Sequence, residues 1–246
     1  MRDQESGSKF LCSKCLKREA TVKIYGKTLC SHCVKTEVLG RLRRNLLVNS
    51  MLKLGDKLGL VELPWISGVN EVLEDYLSRV SSRIRISYER IDVHDIKEDL
   101  NEALHGSVSA STEFGKELGY DVISLPLTSD FFLAYLVRSL IEDEGPYLGL
   151  YAPKLIANGI RLILPFFNIS TIELSIIRRC EISFPDPILT STLTWMQENL
   201  KLNLDFLRSF ERSIEAFRKP NRCTRCCAFV EGELCNRCKV RSIRSQ

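Results

Sequence analysis

Apolar positions along the chain alternate between two kinds of pattern. Residues 56–63 (DKLGLVEL), 121–127 (DVISLPL) and 160–166 (IRLILPF) are short apolar runs bounded by Gly, Pro or Asp, and residues 84–93 (IRISYERIDV) alternate with period two. Both patterns predict strands. The segments between them carry apolar residues at helical spacing: 67–83 (SGVNEVLEDYLSRVSSR), 96–119 (IKEDLNEALHGSVSASTEFGKELG), 129–145 (SDFFLAYLVRSLIEDEG) and 170–180 (STIELSIIRRC). Ser67, Ser129 or Asp130, and Ser170 are the candidate N-caps, and Gly106 to Ser111 predicts a break in the second helix. Strand and helix alternating in this way predict an α/β fold, with a parallel sheet covered on both faces. Residues 185–220 read as a helical arm.

Composition adds little to that picture, and charge adds more. Of the 246 residues, 44% are hydrophobic, enough for a real core, and no apolar run approaches the ~20 residues that span a bilayer. The first ten residues, MRDQESGSKF, are polar and include acids, unlike a signal or transit peptide, so a soluble, cytoplasmic protein with no membrane partner is expected. Residues 1–50 hold 11 Lys and Arg against 4 Asp and Glu, and residues 201–246 hold 11 against 5, while residues 51–200 hold 13 against 22. Two basic ends around an acidic body fit a polyanion held by the ends, or ordinary solubility charge.

Cysteine spacing is the strongest chemical signal. Cys12-x-x-Cys15 is followed by Cys30-x-x-Cys33, and Cys223-x-x-Cys226 by Cys235-x-x-Cys238. A Cys-x-x-Cys turn aims two sulfurs at one point, and two such turns complete a tetrahedron, the spacing of a structural zinc site. Between the first pair, Ala20, Val22 and Ile24 alternate and Gly26 supplies a turn, which predicts a hairpin and hence a zinc ribbon. The second pair brackets CAFVEGEL, a shorter version with its turn at Glu231-Gly232. Disulfides would require a secreted chain, redox Cys-x-x-Cys motifs occur singly, and an iron–sulfur cluster is the remaining alternative at this spacing. Cys227 reads as a spare thiol and Cys180 as a small buried apolar residue. His32 lies inside a knuckle that already has four ligands, His94 sits at a strand end between Asp92 and Asp95, and His105 has no recognisable partner.

The order of these parts resembles the tRNA 2-thiolation proteins of the PP-loop (adenine nucleotide α-hydrolase-like) superfamily. The likeness runs nearly full length and rests on FLCSKCLKREATVKIYGKTLCSHCVKTEVLGRLRRN, on MLKLGDKLGLVEL as lead-in to the first core strand, on RLILPFFNISTIELSII with Pro165 and Glu173, and on the cysteine-rich tail. It implies a PP-loop, Rossmann-like core at 46–184, between a zinc ribbon with a basic helix at 1–45, and a helical arm at 185–220 leading into a zinc knuckle at 221–246. Active members carry Ser-Gly-Gly-Lys-Asp-Ser after the first strand. Here only Ser67-Gly68 remains, followed by Val69, Asn70 and Glu71, and an anion site that loses its lysine and second glycine loses charge and backbone freedom. LPLTSD replaces the histidine-bearing motif of active members, Leu164 replaces an arginine, and the core cysteines of active members reduce to Cys180.

The resemblance therefore implies the degenerate, non-catalytic second subunit of the cytoplasmic wobble-uridine thiolation complex. Such a subunit would hold two zinc ions, with neither ATP nor an iron–sulfur cluster. It would dock a catalytic PP-loop paralogue that takes sulfur from a ubiquitin-like carrier. Arg41, Arg43 and Arg44 at one end, and Arg218, Lys219, Arg222 and Arg225 at the other, are the candidate tRNA phosphate contacts. Two alternatives stay open: a thiolase with a divergent ATP site near 63–70 and 92–95, and a zinc-ribbon adaptor of unrelated purpose.

Overall fold

The computed structural model describes residues 10–24, 26–93, 98–200 and 211–244. His94 and Asp95, the last two residues of the divergent ATP site expected at 63–70 and 92–95, lie outside the described residues. The four predicted strands form at β3 (Lys57–Glu62), β5 (Ser87–Asp92), β6 (Val122–Ser124) and β8 (Ile160–Ile163). They are preceded by a short hairpin of β1 (Val22–Ile24) and β2 (Lys27–Leu29) and by helix α1 (Ser31–Arg43), which runs on as a π turn through Arg44–Val48. Sheet order is β5-β3-β6-β8, all parallel, closed at its edge by the antiparallel β7 (Lys154–Ala157). Chain order reverses between β3 and β6, so the carboxyl ends of these two strands flank the crevice where open α/β sheets place ligands.

β7 was not expected. It pairs with β8 through the two-residue turn Asn158-Gly159, with Ala157 opposite Ile160 and both turn residues at positive φ (50° and 79°). Asn-Gly between apolar runs is the sequence signature of this turn.

Helices α2 (Val69–Ile84), α3 (Leu100–Glu117), α4 (Ser129–Glu142), α5 (Thr171–Leu174) and α6 (Pro187–Leu200) complete the core. Leu58, Leu60, Ile123 and Leu162 are fully buried between layers, α3 packs on β6 and β8, and α4 packs on α6. No break interrupts α3. Its mid-helix hydroxyls turn back on the helix instead, Ser107 donating to the Ala103 carbonyl at 2.7 Å and Thr112 to the Val108 carbonyl at 2.8 Å. Asp99 caps α3 by accepting from the Glu102 amide at 2.8 Å. Ser170 caps α5 as expected, in a capping box with Glu173. Among the described residues, no helix is long and apolar enough to cross a membrane.

The C-terminal part adds α7 (Glu211–Ile214), β10 (Asn221–Arg222), β11 (Phe229–Val230) and α8 (Asn236–Arg244). β10 pairs with β11 around the Cys223-x-x-Cys226 turn, so the hairpin encloses a knuckle instead of linking two across Glu231-Gly232. This terminal module sits on the β7 edge: the Asn158 amide donates to the Thr224 carbonyl at 2.6 Å, and Arg222 Nε donates to the Gly149 carbonyl at 2.9 Å. A Cβ on Gly149 would stand 2.3 Å from the Cys227 carbonyl oxygen, a backbone atom that cannot swing aside. Gly149→Ala is therefore expected to cost about 1–3 kcal/mol by overpacking and to open the 218–222 connection to protease. Unchanged proteolysis and unfolding midpoint would refute the close approach.

Candidate metal centres and the loop after the first core strand

The N-terminal group is assembled by the hairpin and by the start of α1. Cys12 and Cys15 lie on a turn closed by the Leu16 amide donating to the Cys12 carbonyl at 2.9 Å, Cys30 precedes α1, and Cys33 lies in its first turn. The four sulfurs lie within 4.8 Å of one another, with Cys15 and Cys30 at 3.8 Å. A tetrahedron with metal–sulfur bonds of about 2.3 Å has an edge of about 3.8 Å, so the set fits a metal. Burial works against a Cys12 thiolate, yet amides of Cys15, Cys30 and Lys14 bring its pKa down to about 6, while burial and the neighbouring thiols push Cys33 up to about 12.

In the C-terminal module the donor atoms of Cys226, Cys235 and Cys238 converge within 4.8 Å of one another together with that of His105, from α3. Cys226 and Cys235 are 3.6 Å apart, and His105 Nε2 is 3.3 Å from Cys238 Sγ. Cys223, the fourth ligand expected from spacing, is buried and hydrogen-bonds with the same three cysteines, which lower its pKa. His105 is the residue that sequence reasoning missed. The chain gives no local sign of it, because its partner is 133 residues away. Cys227 and Cys180 lie outside both groups. Burial pushes each thiol up to about 12, and Cys180 borders a cavity of about 540 Å³ with Thr171, Ser175, Arg179 and Thr190.

The loop after β3 is where a PP-loop would lie. Trp65 is buried there against Phe131 (5.3 Å) and edge-on to Phe184 (5.4 Å). The two-residue strand β4 (Ile66–Ser67) pairs antiparallel with β9 (Glu181–Ile182). Ser67 is thus a strand residue and not the cap of α2. That position is Gly68, at φ 77°, where an added Cβ would stand 2.0 Å from the Arg179 carbonyl. Beside the loop, Glu62, Glu71 and Asp92 line a cavity of about 270 Å³ with Pro64, Ile66 and Ser67. Burial raises the Glu62 pKa. Asp130, expected as a cap of α4, instead accepts from the Thr171 amide at 2.9 Å and from the Thr171 hydroxyl, clamping the start of α5. It is fully buried, which raises its pKa.

The basic residues divide. Arg41 is 4% exposed and pairs with Glu173, also donating to the Asn168 carbonyl at 2.9 Å, so the expectation that it faces RNA is corrected. It lies on the buried face of α1 with Val34 and Val38, packed toward α5, whereas Arg43 and Arg44 are exposed. Arg218 and Lys219 are exposed and pair with Glu215 (3.1 Å) and Glu231 (3.0 Å). Arg222 lies over the Phe229 ring, and Arg225 opens on a small cavity shared with Ser109, Asn158 and Arg241.

No family model matches the sequence, and no curated protein does. Among solved structures the chain is similar to the U34-tRNA thiolase NcsA from Methanococcus maripaludis with its 4Fe–4S cluster, at 15% identity and a TM-score of 0.58, over 95% of this chain and 96% of that one. The α/β core flanked by two metal-fitting groups is therefore a PP-loop-like fold.

Two expectations are overturned by this likeness. A protein without catalytic activity was inferred from the missing ATP loop and catalytic cysteines, yet 95% of the chain shares the fold of a thiolase and the chain has two groups able to hold a metal, so those losses do not carry that exclusion. Zinc without any iron–sulfur cluster was inferred likewise. The neighbour holds such a cluster and thiolate sets accept iron as well as zinc, so that exclusion falls too.

Proposed function

We propose that this chain acts in 2-thiolation of the tRNA wobble uridine, as a tRNA-binding component of the thiolation machinery in the cytoplasm. The observation that carries the reading is the end-to-end correspondence of its fold with that of a U34-tRNA thiolase. Charge supports it, since both termini are basic and the core between them is acidic. In this reading residues 1–45 and 221–246 are metal-braced platforms, 46–184 is the PP-loop-like body and 185–220 links body to knuckle. Exposed Arg43, Arg44 and Arg225 contact phosphates, and Arg218, Lys219 and Arg222 border the same end. The acidic body docks a PP-loop paralogue that draws sulfur from a ubiquitin-like carrier.

What the metal supplies is rigidity of the platforms, which places arginines at fixed spacing along the RNA backbone. Mass analysis of tRNA nucleosides from a deletion strain tests the function: loss of 2-thiouridine is expected, and unchanged thiolation overturns it. Reversing Arg43 and Arg44 to Glu is expected to weaken tRNA binding and to reduce the salt slope of log K by about one per lost phosphate contact.

A further inference from the structure

Five donors, four from the C-terminal module and one from α3, meet where a tetrahedral centre uses four. Cys226, Cys235 and Cys238 are common to every choice, and Cys223 and His105 compete for the last place. Cys223 is the one that sequence spacing selects. The atoms that converge within 4.8 Å of one another are those of His105 and the other three cysteines.

We propose that His105 is a ligand of this centre, coordinating through Nε2 with Cys226, Cys235 and Cys238, so that the α/β core supplies one of the donors. Three observations support it. First, the imidazole is 6% exposed, and buried polar groups need partners. Its nitrogen faces Cys238 Sγ at 3.3 Å, near the nitrogen–sulfur edge of about 3.5 Å expected of a tetrahedron with bonds of about 2.0 and 2.3 Å. Second, an imidazole nitrogen lies within 4.8 Å of all three sulfurs, whereas a hydrogen bond requires only one. Third, α8 is already registered on α3, because Arg237 Nε donates to Glu102 at 2.5 Å, one helical turn before His105. The same pairing sets the register of α8 against α3 that places Cys238 opposite His105.

The consequence is a metal clasp between two parts of the fold. A four-cysteine knuckle folds as a self-contained unit, whereas a centre that includes His105 fastens α8 to α3. Cys223 is then a buried thiol beside the centre. This inference concerns metal ligation alone, and it stands or falls separately from the proposed role in tRNA thiolation.

The test is cobalt substitution of the full chain, read by visible absorption and by X-ray absorption at the metal edge. Wild-type protein is expected to show imidazole scattering that is lost in His105→Ala and kept in His32→Ala. His105→Cys is expected to shift the visible bands toward those of an all-thiolate centre, and Cys223→Ser is expected to keep both metals. Circular dichroism of each variant separates ligand loss from unfolding, and His105→Cys, which retains a donor, keeps the test decisive if His105→Ala misfolds. Absence of imidazole scattering in the wild type, or loss of one metal equivalent from Cys223→Ser with His105→Ala unaffected, overturns the proposal.

Discussion

Stripping metal from both cysteine groups at neutral pH is expected to release residues 10–30 and 221–244 as protease-sensitive segments while the α/β core stays folded. The hairpin strands β1 and β2 have three residues each, and β10 and β11 have two. Strands this short do not persist alone in water. The buried apolar residues of the first hairpin are few, Val22 and Leu29 beside the cysteines themselves. Against this, a structural metal contributes on the order of 10–16 kcal/mol in isolated zinc-binding modules at neutral pH, more than either module's apolar burial can replace. The core has its own supports, namely fully buried Leu58 and Leu60 on β3, Ile123 on β6 and Leu162 on β8, and the bidentate Arg161–Asp56 pair at 2.8 and 3.1 Å. Limited proteolysis and far-ultraviolet circular dichroism before and after chelation, alongside metal analysis, measure the effect. A metal-free protein with intact termini would mean that the groups are not structural. If His105 is a ligand, the C-terminal segment also leaves α3 on chelation, and the Arg237–Glu102 pair separates.

Much of this architecture was legible because its signals are local. Four strands and their helices follow from apolar runs and periodicity, and eight cysteines announce themselves by spacing. What escaped depends on contacts far apart in the chain. α3 runs through Gly106 and its serines because the hydroxyls of Ser107 and Ser111 bond back within the helix and packing on β6 and β8 outweighs weak propensity. Asp130 was readable as a cap but not as the cap of another helix, 41 residues on. His105 is in the same position, being a donor whose partner belongs to a module joined to it only by tertiary packing. Edge strand β7 is a different kind of miss, since its Asn158-Gly159 turn is a short-range signal that was present and not used.

Arg41 carries the clearest lesson of this kind and the second large expected effect. On sequence it belongs with Arg43 and Arg44 as a basic cluster, yet it lies on the buried face of α1, one turn after Val38 and two after Val34, where it meets Glu173 of α5. Both side chains are nearly sealed from water, 5% and 3% exposed. Glu173 also accepts from the Ser170 amide at 3.0 Å, so one carboxylate caps α5 and anchors the N-terminal helix to the core. Asn45 extends the same attachment by donating to the Pro165 carbonyl and to Asn168, both at 2.8 Å. Glu173→Ala leaves a buried guanidinium uncompensated and removes half the capping box, which is expected to cost about 3–5 kcal/mol. Arg41→Met alone is expected to fall in the same range, because it strands the carboxylate. The double replacement Arg41→Met with Glu173→Leu is expected to recover a large part of that loss, since well-packed apolar residues often match a buried ion pair in stability. Urea unfolding of the three variants decides the matter. If the single variants lose less than about 1 kcal/mol, the pair is worth no more than a surface contact, and the helix is then held to the core by packing of Val34, Val38 and Leu42, the buried face of α1.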